Sequence, residues 1–212
     1  MTDALTHALP TGPRTPIVVL ASGAGSLMSA LLDVAGGDDS PYRVAAVVVD
    51  RECHAAEHAA ARGIDVKTVR LGDYADRTEW DRALTECVAA YEPDYVVTAG
   101  FMKILGAEFL SRFTARIINS HPALLPAFPG ARGVADALAY GAKVTGTTVH
   151  LVDAGVDTGP ILAQAPVIIS PDDTEATLHE RIKAVERVLL TDVVAAIAAR
   201  GVVTDGRKAH IP

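Results

Sequence analysis

The sequence predicts an α/β fold in which a mostly parallel, twisted sheet carries helices on both faces. Short apolar, β-branched runs alternate with helical patterns from Ile17 onward, as in repeated βα units. Half of the 212 residues are hydrophobic but only 5% are aromatic. The core is therefore expected to use the small and β-branched side chains that are typical of buried parallel strands. The chain length fits one large domain.

The predicted elements follow one another in a regular order. They are a strand at 17–21, a helix at 26–35, a strand at 44–49, a helix at 52–62, a strand at 64–69, a helix at 77–91, and strands at 95–98 and 116–118. The apolar segments 144–152 and 161–169 either pair as antiparallel neighbours or enter the sheet separately. A long helix over 175–200 ends at Gly201. Because ligands of such sheets bind at the carboxyl ends of the strands, the loops after Ala21, Thr98 and Ile118 are candidate sites.

Charge and hydropathy narrow the class of protein. The formal net charge is −7 and the sequence has no Lys/Arg cluster, which argues against binding nucleic acid through its phosphates. The apolar runs are far shorter than the roughly 20 residues of a membrane helix, and residues 1–15 lack the apolar stretch of a signal peptide. We expect a cytoplasmic protein with a flexible lead-in at 1–15, a single domain at 16–200 and a short C-terminal tail at 201–212.

A glycine-containing loop at 22–26 joins the first strand to the first helix. Such a loop lets the backbone approach a ligand, and the helix N-terminus offers free N–H groups to an anion. Gly23 and Gly25 match a dinucleotide fingerprint, but its third glycine is replaced by Met28. Asp50 ends the second strand, where a ribose-binding acid would lie in a dehydrogenase. We interpret the loop as a phosphate or phosphosugar site, with dinucleotide binding or a purely structural turn as alternatives.

Polar side chains follow the predicted strand that ends at Ile118, in a loop stiffened by three prolines. Asn119 and His121 are two residues apart, and on an extended segment they project to the same side. An amide and a protonated imidazole can both donate to an oxygen that gains charge as a carbonyl becomes tetrahedral. Asp157, in the glycine-punctuated segment 153–160, is the best candidate for a carboxylate that favours the charged ring. Taken singly, the His could instead be structural and the Asp a turn residue.

Three segments together resemble the folate-dependent formyltransferase family. They are FMKIL at 101–105, NSHPALLP at 119–126 and the segment 150–160, and the similarity extends from Ile17 to about Arg200. The resemblance implies a Rossmann-like formyltransferase fold. It is greatest to members that transfer the formyl group of 10-formyltetrahydrofolate to the amine of 5-phosphoribosylglycinamide in purine biosynthesis. In that reaction the folate is a consumed cosubstrate, no metal is implied, and a homodimer is expected.

The resemblance also implies roles for the three polar residues. Asn119 and His121 would stabilise the tetrahedral intermediate. Asp157 would keep the His charged and order a water molecule for proton transfer.

Binding of 5-phosphoribosylglycinamide is implied by the same resemblance for Gly25, Ser26, Leu27, Lys183 and Glu186. Lys183 would face the phosphate, and Glu186 would face the ribose or the amine. Because they lie three apart on the last helix they share a face, although a solvated helix pair would have the same spacing. Many members have Asn at the positions of Ala24 and Leu27, so side-chain contacts with the sugar phosphate would differ here.

Folate binding is implied for Arg77, Met102, Lys103, Ile104, Leu105 and Asn119. Met102, Ile104 and Leu105 would supply apolar walls and backbone groups for the pterin, and Arg77 would approach the glutamate tail unless it is simply an exposed helix residue. Many members have Arg at the position of Lys103. A Lys is a point charge and cannot reproduce the bidentate contact of a planar guanidinium.

Two alternative functions have to be weighed. Formyltetrahydrofolate deformylases use a similar site with water as the acceptor, usually behind an N-terminal regulatory domain, and other formyltransferases carry added C-terminal domains. With about 15 residues before the first strand and 11 after Gly201, we expect neither the N-terminal regulatory domain nor an added C-terminal domain. A dehydrogenase-like nucleotide-binding module would explain the glycine loop and Asp50, but it gives no reason for Asn119, His121 and Asp157.

Overall fold

A computed structural model describes residues 5–6 and 14–212. Most of the expected flexible lead-in at 1–15 therefore lies outside the described residues. Leu5–Thr6 forms a two-residue strand, and Thr15 already belongs to the next strand. No helix in the described part of the chain is long and apolar enough to span a membrane.

From residue 15 to residue 98 the strands and α-helices alternate in the order that the hydropathy pattern predicts. The strands are β1 Leu5–Thr6, β2 Thr15–Ala21, β3 Tyr42–Val49, β4 Asp65–Thr68, β5 Tyr95–Thr98, β6 Ile117–His121, β7 Val144–Leu151, β8 Ile161–Ile168, β9 Val203–Asp205 and β10 Lys208–His210. The α-helices are α1 Ser26–Ala35, α2 His54–Ala61, α3 Arg77–Ala89, α4 Ala107–Arg112, α5 Gly133–Tyr140 and α6 Glu175–Arg200.

The strands form a single sheet in the order β1-β9-β10-β8-β7-β6-β5-β2-β3-β4. Pairing is parallel from β4 through β3, β2 and β5 to β6, so the predicted parallel sheet is confirmed for this half. β6 with β7 and β7 with β8 pair antiparallel. The connection at 152–160 explains the second pairing, because it is shorter than the dozen or more residues that a parallel crossover needs.

The two faces of the sheet bury different side chains. Ile17 and Val19 of β2 share a cluster with residues of α1, α2 and α6, whereas Val18 and Leu20 share a second cluster with residues of α3 and α4. The period-two alternation of a strand produces this division. It also determines which helices meet the side chains of β6.

One predicted boundary is wrong in a way that affects the site. The strand expected to end at Ile118 runs to His121, so Asn119 and His121 lie on β6 and not in a loop. Asn119 pairs with His150 of β7, and His121 pairs with Thr148. The polar sequence suggested a loop, but a neighbouring strand supplies the backbone partners that an extended segment requires.

Three further segments were not predicted to be regular structure. α4 and α5 are short helices of six and eight residues. The segment 201–212, expected to be a short tail, contains the antiparallel strands β9 and β10. β10 adds to β8, and β9 pairs with β1.

Candidate active site

Polar side chains cluster at the carboxyl end of β6, on the face of the sheet that packs against α3 and α4. Ile117 belongs to the core on that face and Ile118 to the core on the opposite face. By alternation Asn119 and His121 project to the same side as Ile117, while Ser120 projects toward α6. The sheet geometry therefore brings the predicted amide and imidazole together.

His121 is held between two acceptors. Its side chain is only 5% exposed, and Nδ1 lies 3.3 Å from Oδ2 of Asp157. Nε2 lies 2.8 Å from the carbonyl oxygen of Phe128. A neutral imidazole carries one N–H, so only the doubly protonated ring can donate to both acceptors at once. The Asp157 carboxylate and the Phe128 carbonyl oxygen thus face the ring from its two nitrogen atoms.

Asp157 adopts a left-handed backbone conformation, with φ of 54°, which Asp tolerates better than most residues. Its Oδ2 also accepts a 2.7 Å hydrogen bond from the Gly130 amide. Burial acts to raise the pKa of this carboxyl group, but the contacts with His150, Gly130 and His121 outweigh it and hold the pKa below its ordinary value. Asp157 therefore faces His121 as a carboxylate.

Asn119 is oriented from two sides. The Thr98 hydroxyl donates to its Oδ1 at 2.6 Å, and its Nδ2 lies 3.1 Å from Nε2 of His150. Nδ1 of His150 lies 2.9 Å from the Leu151 carbonyl oxygen and must be its donor. In the contact with His150 the Asn119 amide nitrogen is the donor, because an amide nitrogen cannot accept. The amide has a second N–H, which can donate to a ligand.

His150 was not among the residues singled out from the sequence. Its Nε2 is 3.6 Å from Oδ1 of Asp157 and 3.1 Å from the Asn119 amide nitrogen, so one ring nitrogen faces both groups. Its position follows from the register of β7 against β6, which pairs it with Asn119. Neither spacing nor periodicity along the chain reveals that register.

The start of α5 closes against His121. A Cβ atom on Gly133 would lie 2.9 Å from the Phe128 carbonyl oxygen and 3.1 Å from Nε2 of His121. Both distances are shorter than ordinary van der Waals contacts, so a side chain here would displace the ring or its acceptor. Gly133 therefore allows the helix to approach the imidazole closely.

The proline-rich loop after β6 is tied to the neighbouring strands. The Thr148 hydroxyl donates to the Ala123 carbonyl oxygen at 2.7 Å and accepts from the Leu125 amide at 3.0 Å. The side-chain amide of Gln164 donates to the Leu125 carbonyl oxygen at 2.8 Å. These bonds hold the chain between His121 and its acceptor Phe128, so the loop is fixed by more than its prolines.

Glu186 and Lys183 occupy different environments although they lie on one helix. Glu186 is 4% exposed, and Ser120 donates to its Oε1 at 2.5 Å. Burial raises the pKa of Glu186, while the Ser120 hydrogen bond and the cations of Lys183 and Arg187 partly oppose that shift. Lys183 is part-exposed and pairs with Glu180 at 2.9 Å. Glu186 is thus no solvated helix residue, whereas Lys183 can still turn toward a ligand.

The glycine loop forms the N-terminal end of α1. Gly25 has φ of 78°, and a Cβ atom there would lie 2.8 Å from the Ala55 Cα, so packing against α2 requires glycine. Ser26 is exposed, whereas the side chain of Leu27 is buried in the core. Leu27 can therefore offer a ligand only its backbone.

Asp50, at the end of β3, is already engaged. It is 2.7 Å from Arg51 and 3.7 Å from Lys103. Burial acts to raise the pKa of Asp50, but the Arg51, Ser22 and Lys103 contacts outweigh it and lower the pKa. This pairing leaves the carboxylate poorly placed for the ribose role that a dehydrogenase would require.

The segment expected to bind folate, residues 102–105, lies between Asp50 and α3. The Met102 amide donates to the Ser22 hydroxyl at 2.9 Å, and Arg77 donates to the Ile104 carbonyl oxygen. Met102 and Ile104 expose 70% and 66% of their surface, whereas Leu105 is buried. Two large apolar side chains are therefore available to a ligand, and Arg77 is tied to the same segment.

Within the described residues, no group of three or more His, Cys, Asp or Glu is arranged to hold a metal ion.

A family model described as "Formyl transferase" matches residues 15–194. The chain belongs to the formyl transferase family. Among its relatives, a phosphoribosylglycinamide formyltransferase of Mycobacterium tuberculosis is 63% identical over 201 residues, which cover 95% of this chain and 93% of the relative. The enzyme of the same name from Bacillus subtilis is 35% identical over 177 residues, covering 83% and 91% of the two chains.

Solved structures of the formyl transferase family share the fold. Glycinamide ribonucleotide transformylase 1 from Symbiobacterium toebii superimposes with a TM-score of 0.92 at 40% identity, over 95% of each chain. The formyltransferase fold expected from the resemblance is confirmed. A formyltetrahydrofolate deformylase from Pseudomonas syringae has a TM-score of 0.87 at 24% identity, over 93% of this chain and 66% of its own. That likeness extends to the fold alone.

Proposed function

We propose that this chain transfers the formyl group of 10-formyltetrahydrofolate to the amine of 5-phosphoribosylglycinamide. The products are 5-phosphoribosyl-N-formylglycinamide and tetrahydrofolate, in de novo purine biosynthesis. Family membership and the name of the Mycobacterium tuberculosis relative support this reaction. The observation that carries it is the convergence of Asn119, His121 and Asp157 at the carboxyl end of β6.

The proposed chemistry begins when the acceptor amine attacks the formyl carbon. A C–N bond forms and the carbonyl oxygen becomes negatively charged. The second N–H of Asn119 and an N–H of His121 donate to this oxygen, and the His121 ring gives up one of its present contacts to do so. Removal of one such donor typically costs about 10²–10³ in kcat. When the intermediate collapses, the bond to the folate nitrogen breaks and that nitrogen takes a proton.

Asp157 has two functions in this proposal. Its negative charge stabilises the imidazolium of His121, 3.3 Å away, which keeps the ring a donor. A water molecule ordered by the carboxylate carries the proton from the attacking amine to the leaving nitrogen. The low pKa of Asp157 is consistent with a group that stays ionised at neutral pH.

The acceptor binds on the α1 and α6 side of the sheet in this proposal. Backbone N–H groups of Gly25, Ser26 and Leu27 hold the phosphate at the start of α1. Lys183 leaves Glu180 to contact the same phosphate. Glu186 contacts the ribose or the amine.

The folate binds on the other side of the catalytic residues. Met102, Ile104 and Leu105 contact the pterin through apolar surface and backbone groups, and Asn119 contacts the formyl end. Arg77 approaches the glutamate tail. Lys103 is drawn toward Asp50, so we expect it to contribute charge to this region and not a bidentate contact.

The test measures loss of 10-formyltetrahydrofolate with and without 5-phosphoribosylglycinamide. We expect loss only when the acceptor is present, with one formylated product per folate consumed. Loss without the acceptor would indicate a deformylase, and no loss in either mixture would refute formyl transfer. His121→Ala should lower kcat by about 10²–10³. His58→Ala is the matched control, because His58 is exposed on α2.

The expected homodimer rests on the family resemblance, and the expected cytoplasmic location rests on the short apolar runs and the lack of a signal-peptide stretch. Both stay predictions. Sedimentation equilibrium of the purified chain would measure the first. We also expect no saturable NAD binding, and competition between NAD and a folate analogue would contradict the assigned ligands.

A further inference from the structure

Ser120 lies between the two proposed catalytic residues but faces the other side of the sheet. Its hydroxyl donates to Oε1 of Glu186 at 2.5 Å, and it lies 3.4 Å from the hydroxyl of Thr147 on β7. This contact joins β6 to α6. The strand that carries Asn119 and His121 is thereby connected directly to the buried carboxyl group of Glu186.

The contact has the geometry of a strong hydrogen bond. Oxygen–oxygen distances of about 2.5–2.7 Å are typical when a hydroxyl donates to a carboxylate. Glu186 is 4% exposed, and a buried charge is costly unless it is hydrogen-bonded or paired. A packing role alone would be filled by an apolar residue at lower cost. A buried Glu held by one oxygen is better explained by a task for the other oxygen.

We infer that Ser120 is a positioning residue, whose hydroxyl holds Oε1 of Glu186 so that Oε2 meets a donor of the acceptor substrate. The donor is the amine or a ribose hydroxyl of 5-phosphoribosylglycinamide, so the inference rests on the proposed function. Without the hydroxyl, Glu186 would have to be ordered by the substrate itself. Fixing one such side chain on binding costs about a three- to tenfold change in affinity.

The groups around Glu186 make its ionisation depend on Ser120. The sheet contributes the hydroxyl of Ser120, which itself lies 3.4 Å from that of Thr147, and the helix contributes the cations of Lys183 and Arg187. Burial raises the pKa of Glu186, and the Ser120 hydrogen bond acts in the opposite direction. Removal of that bond should raise the pKa of Glu186 further. As the pH falls, acceptor binding should then begin to weaken at a higher pH in the variant that lacks this bond than in the wild type.

The experiment compares Ser120→Thr with Ser120→Val in the full chain. The two side chains have nearly the same shape, but only Thr retains the hydroxyl. Thr191→Val is the matched control on α6, because the Thr191 hydroxyl bonds only carbonyl oxygens of its own helix in the structure. KM for 5-phosphoribosylglycinamide, KM for 10-formyltetrahydrofolate and kcat are measured from pH 5 to pH 9, with thermal unfolding as a check on folding.

We expect Ser120→Val to raise KM for 5-phosphoribosylglycinamide by about three- to tenfold, and more as the pH falls. Its KM for the folate and its kcat should stay within about twofold, and Ser120→Thr and Thr191→Val should resemble the wild type. Equal effects of Val and Thr, or equal changes in both KM values, would overturn the role of Ser120 while leaving formyl transfer intact. A wild-type chain that does not formylate the acceptor would overturn the proposed function itself, and this inference with it.

Discussion

Substitution of Gly133 by Ala should disturb catalysis without damage to the fold. The added Cβ atom would lie 2.9 Å from the Phe128 carbonyl oxygen and 3.1 Å from Nε2 of His121. These two atoms form the 2.8 Å hydrogen bond that holds the imidazole on the side away from Asp157. The methyl group therefore acts on the position of the proposed catalytic ring, from a residue that contacts no substrate in the proposal.

The expected size of the effect follows from these distances. The carbonyl oxygen must move by about half an ångström, and Nε2 by about 0.3 Å, to reach ordinary van der Waals separation. Catalytic groups generally have to stay within about 0.5 Å of their productive geometry, and a displacement of about 1 Å costs about 10²-fold in rate. We therefore expect kcat to fall by about tenfold. Helix propensity favours Ala by up to about 1 kcal/mol, which limits the loss of stability.

Single-turnover formyl transfer with saturating substrates isolates the chemical step. Gly72→Ala is the matched control, since a Cβ atom at Gly72 meets nothing within 4 Å. Its rate should equal that of the wild type. A wild-type rate in Gly133→Ala would show that the ring tolerates this displacement, and the claim that the start of α5 positions His121 would be wrong. Loss of the folded state in Gly133→Ala, seen by circular dichroism, would equally refute the expected separation of activity from stability.

Three other substitutions test the electrostatics and the packing. Asp157→Asn keeps a residue that tolerates left-handed backbone but removes the charge beside His121, so kcat should fall by about 10- to 100-fold. On the alkaline side of the kcat–pH profile, activity should also decline at a lower pH than in the wild type. A profile that is only scaled down, with no such shift, would contradict this reasoning. Glu186→Gln should stabilise the fold by about 1–3 kcal/mol at pH 7 in urea unfolding, because a buried charge is removed. Because the pKa of Glu186 is raised in the folded state, its ionised form opposes folding. The extra stability of the Gln variant over the wild type should therefore vanish as the pH falls below the ordinary glutamate pKa, where Glu186 is protonated in both states. Asp81→Ala should lower the unfolding free energy by about 2–4 kcal/mol. The Asp81 carboxylate accepts hydrogen bonds from the Gly106, Glu108 and Phe109 amides at the start of α4, and these are lost in the variant. An unchanged midpoint of urea unfolding would rule out that capping role.

Three elements were predictable from the sequence to the residue. The helices expected at 26–35 and 175–200 and the strand expected at 95–98 have the observed bounds. α4 has six residues, too few turns for a hydrophobic period to emerge. Asp81 shows why α4 forms nevertheless: it lies 25 residues before Gly106 and accepts from the amides at the helix start. A cap that distant in sequence leaves no local signal.

The candidate site was predictable to the extent that it depends on strand ends and motif spacing. The proximity of Asn119, His121 and Asp157 was expected, and the structure places the Asp157 carboxylate 3.3 Å from the His121 ring. His150 was not predicted, because its place depends on the register between β6 and β7. The Phe128 carbonyl oxygen was not predicted either, because a backbone acceptor carries no side-chain signature. Both are tertiary consequences of the antiparallel half of the sheet.

The extension of β6 to His121 has a mechanical consequence for the proposed chemistry. Asn119 pairs with Thr98 of β5 on one side and with His150 of β7 on the other, so its backbone is held as part of the sheet and not as part of a mobile loop. Alternation along the strand then directs Asn119 and His121 to one face and Ser120 to the other. A shift of register by one residue would exchange all three side chains between the faces. The separation of the acceptor side from the folate side is therefore built into the pairing of β6, and any variant that slips this register should lose both proposed binding functions together.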